Sequence, residues 1–351
     1  MTSYTTKGNY PYPAATDQVS DYPTTASTFA GYVDNLPNKN VIINSQFDVW
    51  QRGTTFTNPA TATYTADRWR FDFDGTGGAR TISRSVQTAG TSIGGMQARN
   101  VAQILITTAP TSGTYQRFAQ RVEDVRTFAG ETVTLSFWCL STVASKTITA
   151  KAVQNFGTGG SPSAAVTTTI GTATTSTAMV RKSYTFTMPA LTSKTIGTAE
   201  DSYVEIHFDL GTQTGTFQIW GVQLEQNSTA TALERRPLQQ ELALCQRYYA
   251  RIVGNAQFAA MGSGLASANN TANIYVKFPQ TMRTVSPTAS QSGMLLYYNA
   301  LTTGVASILA QYTTADSMLL QLSTAAVLTT GQALLLVANA AGSYIDVANE
   351  L

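Results

Sequence analysis

The sequence has 351 residues, only 12% of them are charged, and the formal net charge at pH 7 is +2. Because positive and negative charges nearly balance, the net charge gives no reason to predict binding to nucleic acid or anionic lipid. The first residues lack the apolar segment of a secretion signal, and no run approaches the roughly 18 apolar residues of a membrane span. The length predicts two domains and an arm.

Residues 1–38 are predicted to form an extended N-terminal arm. Tyrosines and prolines recur in it at Tyr4, Tyr10, Pro11, Tyr12 and Pro13. Proline fixes φ and biases the residue before it toward extended backbone. Apolar side chains then follow helical spacing at Phe29, Tyr32, Val33 and Leu36. This spacing predicts one short helix over residues 27–36. The aromatic rings of such an apolar arm are expected to be buried away from water, either by docking onto a partner or by folding back on the first domain.

Residues 39–236 have the pattern of one antiparallel β domain. Apolar and polar side chains alternate along residues 67–74, 132–139, 183–188 and 204–210. Such alternation is typical of strands with one buried face and one solvent-exposed face. Loops rich in Gly, Ser and Thr separate the strands, and many short strands at this spacing predict a β-sandwich.

The end of this domain changes from strand to helix. Phe217 and Ile219 keep a period of two, but the next apolar pair has the opposite parity, and the break falls at Gly221. A glycine at a change of parity predicts a β-bulge. Pro237 is expected at the first position of a linking helix over residues 237–251. One stripe of that helix has side chains at spacings of four, three and four: Leu238, Leu242, Cys245 and Tyr249.

Residues 252–351 are predicted to form a second, smaller β domain. Short strand-like runs recur, and only five side chains are charged: Lys277, Arg283, Asp316, Asp346 and Glu350. A module of about 100 residues with so few charges is expected to hide part of its surface in an oligomer. A monomer kept soluble by Thr, Ser and Asn is the alternative.

Catalytic chemistry is hard to place in this sequence. Glu205, His207 and Asp209 lie on one strand face, which suits a metal or acid–base site but is also typical of a solvated face. His207 is the only histidine, so no second imidazole exists for a zinc cluster. Asp72 and Asp74 are spaced like the start of a calcium loop, yet no Glu follows at the required position. We therefore expect no enzyme activity, no cofactor and no metal.

Trp138 is the strongest candidate for a ligand contact. It has the parity of Thr134 and Ser136, so an indole projects from a face otherwise lined by hydroxyl groups. Sugars present flat C–H faces to aromatic rings and hydroxyl groups at their edges. The ring is therefore a candidate carbohydrate-stacking platform, with Trp220 or Tyr115 nearby. Cover by a loop or by a neighbouring copy is the alternative.

Charge is concentrated where the first domain ends. Arg235 and Arg236 follow Glu234 and precede Pro237. Arginine forms bidentate hydrogen bonds with carboxylates, and Glu225 is a candidate partner. Holding the domain junction is the expected role, and binding a ligand is the alternative.

Several stretches, in this order, resemble one protein family. They are NSQFDVWQR at 44–52, YTADRWRF at 64–71, RVEDVRTFAGETVTLSFW at 121–138, and GTFQIWGVQLE, ERRP and ELALCQRYY within 215–249. Together they resemble the β-sandwich module of bacteriophage tail-fibre and related virion fibre proteins, and YVKFPQTMR at 275–283 is similar to the segment that follows it. The opening strand also resembles carbohydrate-binding jelly-roll modules, although Ser45 replaces the Gly of their Asn-Gly pair.

The resemblance implies an all-β fold: a jelly-roll β-sandwich, then a smaller C-terminal β-sandwich, with an extended N-terminal arm and one linking helix. It implies a homotrimeric tail fibre that docks on other virion proteins through its arm and recognises the host surface, with the helix stripe facing a threefold axis. Such a fibre is assembled in the host cytoplasm and exposed on the particle surface.

Three alternatives stay open within this reading. One is a head fibre or capsid decoration protein, and another is a tail adaptor without receptor binding. The third is a glycan depolymerase, which would use paired carboxylates. Depolymerase spikes usually resemble parallel β-helices, and the sequence shows no internal repeat of that kind.

Overall fold

A computed structural model describes residues 39–351 and two short strands before them. These strands, β1 (Ser3–Tyr4) and β2 (Pro11–Tyr12), pair antiparallel. The helix predicted over residues 27–36 lies outside the described residues. The same holds for four residues assigned to arm docking: Tyr10, Pro13, Phe29 and Tyr32.

The first domain is a jelly-roll β-sandwich of two six-stranded antiparallel sheets, here called the front sheet and the back sheet. In spatial order the front sheet contains β13 (Val166–Thr174), β12 (Thr147–Asn155), β15 (Tyr203–Asp209), β10 (Gln116–Glu123), β5 (Trp69–Phe73) and β4 (Thr63–Tyr64). The back sheet contains β14 (Val180–Thr187), β11 (Thr132–Ser141), β16 (Gly215–Glu225), β9 (Asn100–Thr108), β6 (Ala79–Val86) and β3 (Thr55–Thr57). The chain crosses repeatedly between the sheets, and the predicted all-β fold class is confirmed.

The core of this domain is aromatic and spans both sheets. Trp69 stacks on Phe118 with ring centroids 5.0 Å apart, and Phe208 lies 4.6 Å from Phe137 of the back sheet. All four side chains are completely buried. Aromatic pairs at such distances stabilise the fold beyond the burial of their surface area.

The predicted bulge on β16 is present at Gly221. Ser136 of β11 lies opposite Gln223, whereas Trp138 lies opposite Trp220, so β16 contains one extra residue between these pairs. Gly221 has φ +61°, a conformation that favours glycine. The bulge allows apolar residues of both parities to face the core.

The linking helix, α1 (Leu238–Gln246), is shorter than predicted. Pro237 precedes it at the N-cap position with φ −55° and ψ 142°, rather than occupying its first turn. The chain leaves the helix after Gln246, and Tyr249 begins β17 (Tyr249–Val253). The second domain therefore starts three residues before the predicted boundary at 252. Within the described part of the chain, no helix has the length and apolar character needed to cross a membrane.

The predicted apolar stripe of the helix does not present a continuous face to a symmetry axis. Leu238 is 45% exposed and Leu242 is partly buried, whereas Cys245 and Tyr249 are buried inside the chain itself. Glu241, a charged residue, is the other buried side chain of the helix, and it accepts a hydrogen bond from the backbone of the first domain. This prediction was wrong because the helix packs its inner side on its own chain.

The second domain is a smaller β-sandwich of one three-stranded and one seven-stranded antiparallel sheet. The three-stranded sheet contains β17, β26 (Tyr344–Ala348) and β20 (Thr288–Ser292). The seven-stranded sheet contains β22 (Leu301–Gly304), β21 (Met294–Tyr298), β25 (Ala333–Ala338), β18 (Ala260–Ala268), β19 (Thr271–Lys277), β24 (Ser317–Ser323) and β23 (Ser307–Gln311). Its core is mainly aliphatic and includes the buried Leu320, Leu336 and Ile345.

The two domains meet at a junction of arginines, aromatic rings and one carboxylate. Arg68 is almost completely buried, lies 3.4 Å from the centroid of the Tyr248 ring, and forms an ion pair with Glu350. Arg52 lies 3.5 Å from the centroid of the Tyr249 ring and 2.9 Å from the same carboxylate. Two cations that share one partly buried carboxylate constrain how the domains meet.

Arg236 ties the exit of the first domain to its start. It donates a hydrogen bond to the Ile42 carbonyl at 3.0 Å and lies 3.5 Å from the Glu241 carboxylate. The predicted partner, Glu225, instead accepts hydrogen bonds from the Thr231 hydroxyl at 2.6 Å and from its amide at 3.0 Å. These contacts join the start and the exit of the first domain and do not reach the second domain, so the expected role in holding the domain junction stays a prediction. Glu225 is not among the partners of Arg236 in the described residues.

Candidate functional site

Trp138 and Trp220 do not form an open platform on the back sheet. Their rings pack edge to face with centroids 5.4 Å apart, and the residues are only 5% and 0% exposed. A hairpin of β7 (Ser92–Ile93) and β8 (Met96–Gln97) covers them, with Ile93 in the same apolar cluster. The prediction that Trp138 offers a stacking face for sugar was wrong, because a separate hairpin of the same chain provides the cover.

Tyr115 lies in the other sheet, immediately before β10. It is half-buried, and the Arg117 guanidinium lies 4.5 Å from its ring centroid. Tyr203, at the start of β15, has the same arrangement with Arg121 at 4.2 Å. The structure therefore separates Tyr115 from the two tryptophans and places it beside a different surface.

The outward side of the front sheet contains charged residues on four adjacent strands. On β10, Phe118 points into the core, so Arg117 points outward, and it lies opposite Asp72 of β5 and Asp209 of β15. Residues directly opposite each other on antiparallel strands share a face of the sheet. We call this surface the charged face and define it by Arg70, Asp72, Arg117, Arg121, Lys151, Glu205, His207 and Asp209.

Glu205 and His207 are the most buried pair on the charged face. His207 Nδ1 lies 3.1 Å from Glu205 Oε1, and Arg121 Nε donates a hydrogen bond to Oε2 at 3.1 Å. Glu205 is 3% exposed and His207 is 2% exposed, so the expectation of a solvated strand face was wrong. Arginine side chains of the neighbouring strand β10 lie against the Glu205 carboxylate and exclude water from it.

This arrangement keeps Glu205 ionised. Burial alone would raise the pKa of its carboxyl group, but the hydrogen bond from His207 and the charges of Arg117 and Arg121 outweigh burial and lower the pKa to about 2. A general acid for glycoside cleavage needs a raised pKa. Glu205 therefore has the electrostatics of a fixed anion.

Both aspartates of the calcium-loop-like motif are engaged by protein groups. Asp74 accepts hydrogen bonds from the Thr114 amide at 2.7 Å, the Thr114 hydroxyl at 2.6 Å and the Tyr115 amide at 2.8 Å, and these bonds lower its pKa. Asp72 accepts two hydrogen bonds from Arg70. Among the residues that the structure describes, no group of three or more His, Cys, Asp and Glu side chains is placed to hold a metal ion.

A second surface, on the seven-stranded sheet, is apolar and exposed. Tyr297, Leu335 and Tyr275 lie in one row across β21, β25, β18 and β19, and they are 37%, 40% and 52% exposed. Leu265 and Leu309 project from the same side and are 53% and 56% exposed. We call these five side chains the apolar face. Exposed apolar surface of this extent is typical of an interaction site.

A groove of about 540 Å³ runs between the two domains. Arg247 and Glu123 line it and are joined by two hydrogen bonds of 3.0 Å. Arg126 and Arg283 line the same groove. Its charges are of both signs and its walls come from both domains.

Comparisons with known proteins found similarity to solved structures only. No protein-family model matches the sequence, and no curated protein matches it. A solved carbohydrate-binding module of family 4 is 19% identical, with a TM-score of 0.34, over 52% of this chain and 98% of the module. The CBM22-2 xylan-binding domain of Xyn10C from Paenibacillus barcinonensis is 14% identical, with a TM-score of 0.31, over 46% of this chain and 92% of that domain.

A phage protein is also among the similar structures. The enzymatically active domain of tailspike protein 4 from bacteriophage CBA120 is 15% identical, with a TM-score of 0.31. The match covers 54% of this chain and only 22% of the tailspike chain. Each of these similarities involves about half of the present sequence.

Proposed function

We propose that this protein is a non-enzymatic fibre protein of a bacteriophage particle that recognises glycans on the host surface. The observation that supports glycan recognition is the charged face, which lies on the outside of a jelly-roll domain beside two half-buried tyrosine rings. Charged side chains held by neighbouring groups are directional donors and acceptors for hydroxyl groups, and the rings supply apolar area. The binding surface is therefore the front sheet rather than the tryptophans of the back sheet.

Recognition without cleavage follows from the pairing of the carboxylates. Glycoside hydrolysis needs one protonated and one ionised carboxyl group on either side of the scissile bond. Glu205 stays ionised, and Asp72 accepts two hydrogen bonds from Arg70. The charged face is therefore suited to binding a saccharide and leaving it intact.

The fibre part of the proposal is supported by the sequence motifs in residues 40–285. They resemble virion fibre proteins and occur in the same order, and the arm at residues 1–38 resembles an attachment segment. We propose that the protein is assembled in the host cytoplasm, docks on tail or capsid proteins through this arm, and is exposed on the particle surface. A head fibre and a tail adaptor differ from a tail fibre in the position of density on the particle, which cryo-electron microscopy of the virion shows directly.

The apolar face is proposed to be covered by second and third copies of this chain in a homotrimer. Seven strands at about 4.8 Å spacing and five residues at about 3.3 Å give a face of roughly 34 by 17 Å, or about 550 Å². About 550 Å² from each of three copies gives about 1,650 Å² of buried surface in the trimer, which is shared among three contacts. Three copies on one fibre would also make weak individual glycan sites effective through avidity.

An array of bacterial surface polysaccharides tests the proposed function. We expect the full-length protein to bind a subset of the array and to leave the bound polysaccharide at its original length. Tyr115→Ala should weaken binding at least fivefold because it removes a ring beside the charged face. Tyr312→Ala, which changes a tyrosine that is 82% exposed on the other domain, is the matched control.

The outcomes separate the classes of function. Absence of binding to any polysaccharide would contradict glycan recognition and favour a tail adaptor. Shortened polysaccharide after incubation would contradict the non-enzymatic assignment. Equal loss of binding in both tyrosine variants would contradict the location of the site on the front sheet.

A further inference from the structure

The charges of the charged face do not cancel. Its three carboxylates each have a cation at hydrogen-bond distance: Asp72 with Arg70 at 2.6 Å, Glu205 with Arg121 at 3.1 Å, and Asp209 with Lys151 at 2.8 Å. Arg117 is a fourth cation on the same surface. One positive charge is therefore left without a carboxylate of its own.

Arg117 has no hydrogen-bond partner within the described residues. Its Nε lies 3.9 Å from Asp72 and 4.0 Å from Glu205, which are ion-pair distances but too long for hydrogen bonds. The Nε atom is buried and unpartnered, and the side chain as a whole remains 28% exposed. A guanidinium has five N–H donors, and the four on the two terminal nitrogens of Arg117 are neither buried nor hydrogen-bonded within the described residues, so they remain available to a ligand.

The position of Arg117 is already fixed before any ligand binds. The ring of Tyr115 supports the guanidinium at 4.5 Å, and the strand that contains Arg117 is paired on both sides by β5 and β15. A side chain held in this way loses little conformational entropy on binding. Asp209 lies opposite Arg117, and Thr149 lies opposite Asp209 on the next strand, so a hydroxyl group and a carboxylate flank the same spot.

We propose that Arg117 binds an oxyanion on the glycan, so that the preferred ligands are acidic saccharides. The planar guanidinium matches the two oxygens of a carboxylate, as in uronic acids, and it also matches a phosphate substituent. Asp209 and Thr149 then contact sugar hydroxyl groups beside the anion. This inference rests on the proposed glycan recognition, because it names the class of saccharide that the same surface takes.

Titration of the full-length protein with three small probes tests the inference. The probes are glucuronate, glucose as its neutral counterpart, and glucose 6-phosphate. We expect glucuronate to bind at least tenfold more tightly than glucose, and binding to weaken as salt is added. Tighter binding of glucose 6-phosphate than of glucuronate would identify phosphate as the source of the oxyanion.

Two substitutions assign the effect to Arg117. Arg117→Gln should remove the preference for the acidic probe. Arg117→Lys should retain part of this preference, because lysine keeps the positive charge but cannot form the two parallel hydrogen bonds of a guanidinium. Arg84→Gln, which removes an exposed arginine from β6 of the back sheet, should change nothing. Circular dichroism of each variant establishes that the fold is retained.

The proposal and the function on which it rests can fail separately. Polysaccharide binding that is unaffected by Arg117→Gln would leave glycan recognition standing and overturn the acidic-ligand assignment. Absence of polysaccharide binding, combined with Arg117-dependent binding of inorganic phosphate, would overturn glycan recognition and retain the oxyanion site. Equal affinity for glucuronate and glucose in the unmodified protein would also overturn the assignment.

Discussion

Glu205 is the residue that best distinguishes a binding surface from a catalytic one. Its folded-state pKa of about 2 lies below the ordinary value of 4.5. Ionised Glu205 therefore stabilises the fold above about pH 4.5, and this stabilisation is lost as the pH falls toward 2. A shift of this size corresponds to roughly 3 kcal/mol of unfolding free energy at neutral pH.

We predict that Glu205→Gln lowers the free energy of unfolding by about 3 kcal/mol at pH 7, because the buried His207 and the partly buried Arg121 lose the carboxylate that they contact. The difference from the unmodified protein should shrink between pH 4.5 and pH 2. Urea unfolding at steps of pH measures it. Glu200→Gln, which changes an exposed carboxylate, should show no such trend. A difference that is constant across this pH range would contradict the assigned electrostatics.

Single residues were the hardest level to predict from the sequence. The alternation that places Trp138 outside the sandwich core is correct, but alternation says nothing about what covers the outer side of a sheet. The residues that cover Trp138 include Ile93, 45 positions earlier in the sequence, in a two-residue strand with no clear periodicity. Alternation also predicted a solvent-exposed strand face at Glu205 and His207. It could not show that arginines of another strand, β10, cover this face.

At the level of strands and helices, periodicity was a reliable guide wherever a strand buried one side. The break in parity on β16 correctly identified a bulge, since an extra residue is needed to return the apolar side chains to the core. The helix that follows was predicted too long, because the spacing from Cys245 to Tyr249 is compatible with both a helix and a turn into a strand. What ends the helix is pairing of Tyr249 with Ala348, a contact across 99 positions that local sequence does not contain.

Gly221 provides the test at this level. We predict that Gly221→Ala lowers the free energy of unfolding by about 2 kcal/mol, since a Cβ there would lie 2.8 Å from the Trp138 ring at φ +61°. Gly211→Ala is the control, because Gly211 has a similar φ of +57° but no atom within 4 Å of the added Cβ. Guanidinium unfolding of both variants separates the clash from the backbone strain. Equal losses in the two variants would contradict a tight bulge.

For the whole molecule, the sequence predicted the architecture but not the contacts between its parts. The strand-like runs in residues 252–351 correctly predicted a second β domain, and the apolar face lies on that domain. The junction was missed in detail, because Arg52, Arg68 and Glu350 are far apart in the sequence. The motifs at 44–52 and 64–71 contain the two arginines but do not indicate that Glu350 is their partner.

Assembly is the prediction that belongs to this scale. We expect the purified protein to be a trimer in light scattering, and the double substitution Tyr275→Glu and Leu309→Glu to give monomers by placing charges on the apolar face. Val86→Glu is the control, because Val86 is 66% exposed on the back sheet of the first domain. A monodisperse monomer of the unmodified protein would contradict the homotrimer, and a trimer that survives the double substitution would contradict this face as the contact.

The junction between the domains has a mechanical consequence. A linker of a few flexible residues would let one domain swing while the other is held. Here the rings of Tyr248 and Tyr249 lie against two guanidinium groups that both form ion pairs with the same carboxylate. These contacts leave little freedom for one domain to rotate relative to the other. A force applied to one domain is therefore transmitted to the other, and the two domains rotate together.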